Sequence, residues 1–169
     1  MAGLAASLGS GAMTNSIADI RAADVLLVTG SNTTEAHPVI SLEMKAAVRK
    51  HGAKLILIDP RRIELADFAA LHLRQRPGTD VAVFNAMAHV IIAEGLARRA
   101  FVESRTENFD ALAEAVKECG PQWAEDLSGV PADLIVQAAR MYAGAQSAAI
   151  FWAMGITQST HGVDNVQAL

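Results

Sequence analysis

The 169-residue sequence predicts an α/β fold of three layers: a parallel sheet with helices on both faces, plus a helical insertion. Three observations predict it. Val25-Leu26-Leu27-Val28-Thr29 and Leu55-Ile56-Leu57-Ile58 are continuous apolar runs bounded by turn residues, as strands buried on both faces should be. The segment between them has helical patterning, and two buried strands joined by a helix imply a parallel pair with a right-handed crossover. The chain is also 51% hydrophobic and 19% charged, enough apolar surface for a sizeable core and too much for a disordered segment.

The elements follow in order. Asn15 is a candidate cap for a short helix through residue 22. The first strand covers residues 25–29, and Gly30-Ser31-Asn32-Thr33-Thr34 is the turn after it. Pro38 suits the first turn of a helix, where its missing N–H is unpaired anyway, and Gly52 ends that helix after His51. The second strand covers 54–58. Asp59-Pro60-Arg61-Arg62 closes it, and a short helix is expected near 63–67. Leu71-His72-Leu73-Arg74 reads as a third strand, and Thr79 as the N-cap of a helix that breaks near Gly95. Residues 101–145 are helical in pattern, with segments at 109–118, 121–127 and 131–142; the last has Leu134, Ile135, Ala138, Met141 and Tyr142 on one face. A fourth strand at 147–152 runs into a glycine turn, Met154-Gly155-Ile156-Thr157-Gln158. The organisation expected is one Rossmann-like segment over 1–169: a βαβ-type core (24–95), a helical section (101–145), then the final strand, loop and opening of a helix (147–169). Both ends read as cuts through a longer protein, and no capped element is expected ahead of the first helix.

Composition excludes several function classes. The net charge is −4, so there is no basic footprint for nucleic acid. The single cysteine, Cys119, expected on a helix, allows no intrachain disulfide and no Cys-rich metal site. Residues 1–11 lack the basic start of a secretory signal, and no run approaches the ~18 apolar residues of a membrane helix. A cytoplasmic setting without membrane insertion is the expectation.

Four loops follow the carboxyl ends of the four strands: residues 30–37, 59–62, 76–80 and 154–161. In open α/β sheets this edge binds ligands. Gly30 and Ser31 allow backbone N–H groups to approach an anion, assisted by the following helix N-terminus. Arg61, Arg62 and Arg76 can neutralise phosphate. Asp59 and Asp80 can accept hydrogen bonds from a ribose hydroxyl or a purine amine. Gly-Ser-Asn also serves as a plain tight turn, and Arg61-Arg62 as a solvated helix start; co-location at one edge is what favours a nucleotide. Neither Gly-x-Gly-x-x-Gly nor Gly-x-x-x-x-Gly-Lys-Ser/Thr is present. His51 reads as a helix-dipole partner, His89 as packed or solvated, and His72 as a strand residue without an evident partner. His37 and His161 fall in two of the loops, within no metal-ligand spacing and no nucleophile–base pair.

Several strings together are more specific. Leu8-Gly9-Ser10-Gly11-Ala12-Met13-Thr14-Asn15-Ser16, then Thr29-Gly30-Ser31-Asn32-Thr33-Thr34-Glu35-Ala36-His37-Pro38, resemble the catalytic (alpha) subunit of molybdenum- or tungsten-dependent formate dehydrogenases, members of the molybdopterin oxidoreductases. Ile58-Asp59-Pro60-Arg61-Arg62, Arg76-Pro77-Gly78-Thr79-Asp80, Trp152-Ala153-Met154-Gly155-Ile156-Thr157-Gln158 and Thr160-His161-Gly162 extend the resemblance in the same order over essentially the whole chain. It implies a metal held by two molybdopterin guanine dinucleotides, a nearby [4Fe–4S] cluster, and oxidation of formate to CO2. Electrons would pass to the cluster and on to partner subunits carrying NAD/flavin or iron–sulfur sites. By motif, Gly30, Ser31, Asn32, Glu35, Asp59, Arg61, Gly78, Thr79, Asp80, Met154, Gly155 and Gln158 would contact the guanine dinucleotide. No catalytic and no metal-ligating residue is assigned. The resemblance places the metal-ligating cysteine or selenocysteine, with its histidine, just ahead of Gly3-Leu4. It places the cluster cysteines further upstream and the formate-orienting arginine beyond Leu169. Ser159 stands where relatives tend to have histidine. The remainder of the same subunit is thus an implied partner. Another molybdopterin oxidoreductase, such as a nitrate reductase, and a non-catalytic nucleotide-binding module are the alternatives. If flanking elements are missing, Val83, Phe84, Met87 and Ile91 are expected to lack cover, and the chain to self-associate.

Overall fold

The structure, a computed structural model, describes residues 2–169. Strands β1 (Val25–Thr29), β2 (Lys54–Ile58), β3 (Leu71–Leu73) and β4 (Ala148–Trp152) form one sheet, ordered β3-β2-β1-β4, with every pair parallel. Thr29 lies opposite Ile58 on one side and Trp152 on the other, so the three five-residue strands end level. The chain moves outward from β1 to β3, then returns to lay β4 against the far side of β1. The reversal makes the carboxyl ends of β1 and β4 the topological switch point, where a crevice opens in sheets of this kind.

The helices are α1 (Ala2–Leu8), α2 (Thr33–Ala36), α3 (Pro38–His51), α4 (Asp80–Ala93), α5 (Arg99–Arg105), α6 (Phe109–Ala115), α7 (Pro121–Ser128), α8 (Ala132–Ala143), α9 (Met154–Thr157) and α10 (Gly162–Ala168). Two 3-10 helices, Ile17–Ala22 and Glu64–Phe68, complete the set. Alternation along the strands divides the core in two. Val25, Leu27, Ile56 and Ile58 face α4, α7, α8 and α10, whose contributions include Val83, Ala124, Ile135 and Val166. Leu26, Val28, Leu55 and Leu57 face α3 and the 3-10 helices through Met44, Ala47, Ile20 and Leu65. Both faces of the sheet are therefore covered, as the unbroken apolar runs require. No helix among the described residues is long and apolar enough to cross a membrane.

Several expectations change. An element does precede the first 3-10 helix: α1 packs on α10, so closely that a Cβ on Gly3 would stand 2.9 Å from Val166. Ser16, not Asn15, begins Ile17–Ala22, because the Asp19 carboxylate reaches back to accept the Ser16 N–H at 2.7 Å and its hydroxyl at 2.9 Å. These bonds hold Asp19 below the usual carboxylate range. Met154 opens one helical turn instead of a glycine turn. Cys119 lies in the turn after α6, not on a helix, and partial burial together with nearby Glu118 pushes its thiol up. The expected bare face of α4 is covered. Val83, Phe84 and Met87 are buried because α7 and α8 pack over them, and Ile91 is partly buried against the same core. The helical insertion thus supplies much of the cover for α4.

Candidate functional site

All four strands are parallel, so the loops after β1, β2, β3 and β4 emerge at one edge. They enclose a cleft of about 510 Å3 lined by Gly30, Asp59, Pro60, Arg61, Gln75, Pro77, Gly78, Asp80, Gly155, Gln158 and Ser159. Each loop has a local cause. Gly30 adopts φ +55°, a left-handed conformation that costs an L side chain but not glycine. Its carbonyl accepts the Gly155 N–H at 3.0 Å, which ties the β1 turn to the β4 turn at the switch point. A Cβ on Gly30 would meet the Ile156 nitrogen at 2.8 Å, and one on Gly155 would meet the Gly30 oxygen at 2.6 Å. The two glycines let these backbones touch, a requirement of packing.

Asp59 ends β2 almost fully buried. Its Oδ1 accepts the Arg61 N–H at 2.8 Å, an Asx-type turn across Pro60. His72 on β3 donates through Nε2 to the Asp59 carbonyl at 2.9 Å, the partner for His72 that the sequence did not disclose. Arg61 is exposed, with Nε 3.8 Å from Asp59 Oδ1, and stands in the cleft wall. Gly78 turns the third loop at φ +86°. Thr79 directs its hydroxyl to the Arg76 carbonyl at 2.7 Å, so it shapes the loop and does not cap α4 with its side chain. Asp80, the first residue of α4, is buried, and Gln75 Nε2 donates to its Oδ1 at 2.8 Å.

The arginines separate. Arg76 donates Nη1 to the Asp126 and Leu127 carbonyls at 3.1 and 3.2 Å, satisfying the C-terminal end of α7. Arg62 pairs with Asp67. Arg61 alone of the three lines the cleft. Seven residues expected at the site meet there: Gly30, Asp59, Arg61, Gly78, Asp80, Gly155 and Gln158. Ser31, Asn32, Glu35, Thr79 and Met154 lie on the same loops but outside the cleft wall. Ser31 is buried, while Glu35 and Met154 are exposed. His37 and His161 are exposed and line no part of it; His161 sits 3.5 Å from Asp164. Pro60, Gln75, Pro77 and Ser159 were not foreseen as lining residues; three of them adjoin assigned positions, and Gln75 stands immediately ahead of the third loop. Ser159 accepts the His161 N–H at 3.2 Å.

The polar atoms show what the cleft can hold. Gln75 Oε1, of a residue in the cleft wall, is buried without a hydrogen-bond partner; Thr29 Oγ1, Asn32 Oδ1 and Thr33 Oγ1, of residues outside the wall, are as well. Buried polar atoms are rarely left unpaired, so a donor-bearing ligand suits this edge. One arginine and two carboxylates match the parts of a nucleotide: phosphate at the cation, sugar or base at the acceptors. A second hollow of about 460 Å3 lies beside β4 between Leu4, Leu8, Met13 and Phe151, but no charged side chain lines it.

Fold and cleft together define a parallel α/β segment of the kind that binds ligands at a switch point. Residues 4–169 match the molybdopterin oxidoreductase family, and the chain belongs to it. It is 48% identical over 167 residues to the alpha subunit of a formate dehydrogenase from Methanocaldococcus jannaschii, covering 99% of this chain and 25% of that protein. It is 46% identical over 169 residues to formate dehydrogenase H of Escherichia coli, covering 100% of this chain and 24% of that protein. Among solved structures, acetylene hydratase from Pelobacter acetylenicus superposes with a TM-score of 0.83 at 36% identity, over 90% of this chain and 21% of that one. The chain spans about a quarter of the length of these formate dehydrogenase relatives.

Proposed function

We propose that this chain is a segment of a formate dehydrogenase catalytic subunit and that its cleft holds the nucleotide end of a molybdopterin guanine dinucleotide. The observation that carries the reading is the convergence of seven motif residues from four separate loops on one cleft at the switch point. Support for the substrate comes from the formate dehydrogenase relatives at 46–48% identity. When bound, the pterin and its molybdenum or tungsten would supply the redox chemistry that takes formate to CO2, with electrons leaving through an iron–sulfur cluster that this segment does not ligate.

The residues of this chain bind and orient. Gly30 and Gly155 bring two backbone turns together and so fix the loops that line the crevice. Arg61 supplies positive charge at the mouth, where phosphate oxygens would sit. Asp59 and Asp80 are acceptors for sugar hydroxyls or base amines. None of these groups breaks a bond in formate. The segment alone is therefore expected to show no formate oxidation with a dye acceptor, and robust turnover by the 169 residues would contradict the proposal. The positive test is cofactor content: the complete subunit, purified from a host that makes the cofactor, should release GMP on acid hydrolysis, and Asp80→Ala should lower the yield. Partner subunits for electron transfer, the rest of the same subunit, and a cytoplasmic setting belong to the same proposal.

A further inference from the structure

We propose that Gln75 is a specificity-determining residue of the cleft: it fixes the Asp80 carboxylate and joins it as a second acceptor, so that the pair reads the amino-bearing edge of guanine. The inference rests on the assignment of the cleft to a guanine dinucleotide and names the residue that selects its base.

Gln75 and Asp80 stand in the same wall, 3% and 7% exposed. Gln75 Nε2 donates to Asp80 Oδ1 at 2.8 Å, and a carboxylate offers only acceptors, so this contact sets which way the amide faces. With the nitrogen toward Asp80, Oε1 is the other end of the amide, and it is buried without a partner. A solvated surface glutamine would have water there. A glutamine serving only to hold Asp80 would need no second acceptor shut away from solvent. The carbonyl and the carboxylate are neighbouring buried acceptors, and one of the two Gln75 N–H donors is already used on Asp80. Guanine presents adjacent N1–H and 2-amino donors along one edge. Hypoxanthine lacks the amino group, and adenine presents an acceptor at N1. A ribose diol also offers two donors, so the test separates base from sugar.

The experiment is calorimetric titration of the chain with guanosine diphosphate, inosine diphosphate and 2′-deoxyguanosine diphosphate. The wild-type chain is expected to bind guanosine diphosphate about tenfold more tightly than inosine diphosphate, the worth of one hydrogen bond to a charged or buried acceptor. The 2′-deoxy compound is expected to bind like its parent. Gln75→Leu is expected to abolish the preference, so that the variant binds guanosine and inosine diphosphates equally, a pattern that general damage to the fold would not give. Gln75→Met, apolar and of similar length, serves should the leucine variant not fold. Retention of the guanine preference by either variant overturns the inference and leaves the cleft assignment standing. Equal wild-type affinities for guanosine and inosine diphosphates, or a preference that follows the 2′-hydroxyl, also overturn it. Failure of the wild-type chain to bind any of the three overturns the cleft assignment and this inference together.

Discussion

The site depends on a few residues whose local conformation leaves little choice. Gly30 and Gly155 are the sharpest case, since each excludes a Cβ through backbone atoms of the other's loop. Gly155→Ala is expected to cost about 1–3 kcal/mol, because relief requires a backbone shift. The double variant with Gly30→Ala should fall short of the sum of the two, since both strain one contact. Urea unfolding midpoints measure this; a Gly155→Ala midpoint equal to wild type would show that the turns do not touch. Arg61 and Arg76 make a second pair of expectations. Arg61→Gln should weaken guanosine diphosphate binding by about three- to tenfold, more at low salt than at high. Arg76→Gln should leave binding alone and lower stability, since its guanidinium serves the end of α7. The opposite assignment of effects would reverse their roles. The sequence alone could not tell these arginines apart. Both follow a strand and flank a proline, and only the placement of α7, far along the chain, decides which one is engaged. Gln75 was hidden for a similar reason: a glutamine next to a basic loop is unremarkable until burial and its bond to Asp80 are known.

At the scale of elements, an ion pair ties together each helical layer of the sheet. Arg21 joins Ile17–Ala22 to Glu43 on α3, with Nη2 at 2.7 Å from Oε1, and Arg140 on α8 grips Glu94 beyond α4 at 2.8 and 2.9 Å. These guanidiniums hold both glutamates below their ordinary 4.5, as Ser16 holds Asp19 below 3.8. A carboxyl whose folded value is depressed contributes stability above its unfolded value and loses it as pH falls through the folded one. The unfolding free energy should therefore decline from about pH 5 to pH 3, and Glu43→Gln with Glu94→Gln should flatten that decline. A decline equally steep in the double variant would remove these pairs from the account. The helical section makes a larger contribution. Phe84 on α4 is 5% exposed beneath α7 and α8, so Phe84→Ala should cost about 3–5 kcal/mol by chemical unfolding. A cost below about 1 kcal/mol would mean that α4 is not covered as described. Strands and long helices were legible because their signals are local: unbroken apolar runs, Pro38 opening α3, Gly52 closing it. The cover on α4 was not, because the partners come from residues 121–143 and their packing is set by tertiary geometry.

At the scale of the molecule, the parallel sheet converts four dispersed motifs into one site. β1, β2 and β4 end level, β3 adds the loop that carries Gly78 and Asp80, and the reversal of strand order places the crevice between β1 and β4. The order of the motifs in the sequence was readable, and so was their common edge. The exact wall was not, because Ser31, Asn32, Glu35, Thr79 and Met154 occupy the right loops yet stand outside it: Ser31 is buried, Thr79 bonds the Arg76 carbonyl, and Glu35 and Met154 are exposed. The membership of the chain in the molybdopterin oxidoreductases supports the proposal that this crevice takes the nucleotide end of a large cofactor. The central claim is the location of that crevice. A titration of the 15N-labelled chain with guanosine diphosphate, followed by NMR, tests it most directly. Resonances of Gly30, Asp59, Arg61, Gly78, Asp80, Gly155 and Gln158 should shift together with one apparent affinity. Shifts confined to the hollow beside β4, at Leu4, Leu8 and Met13, or the absence of shifts at the four loops, would contradict it.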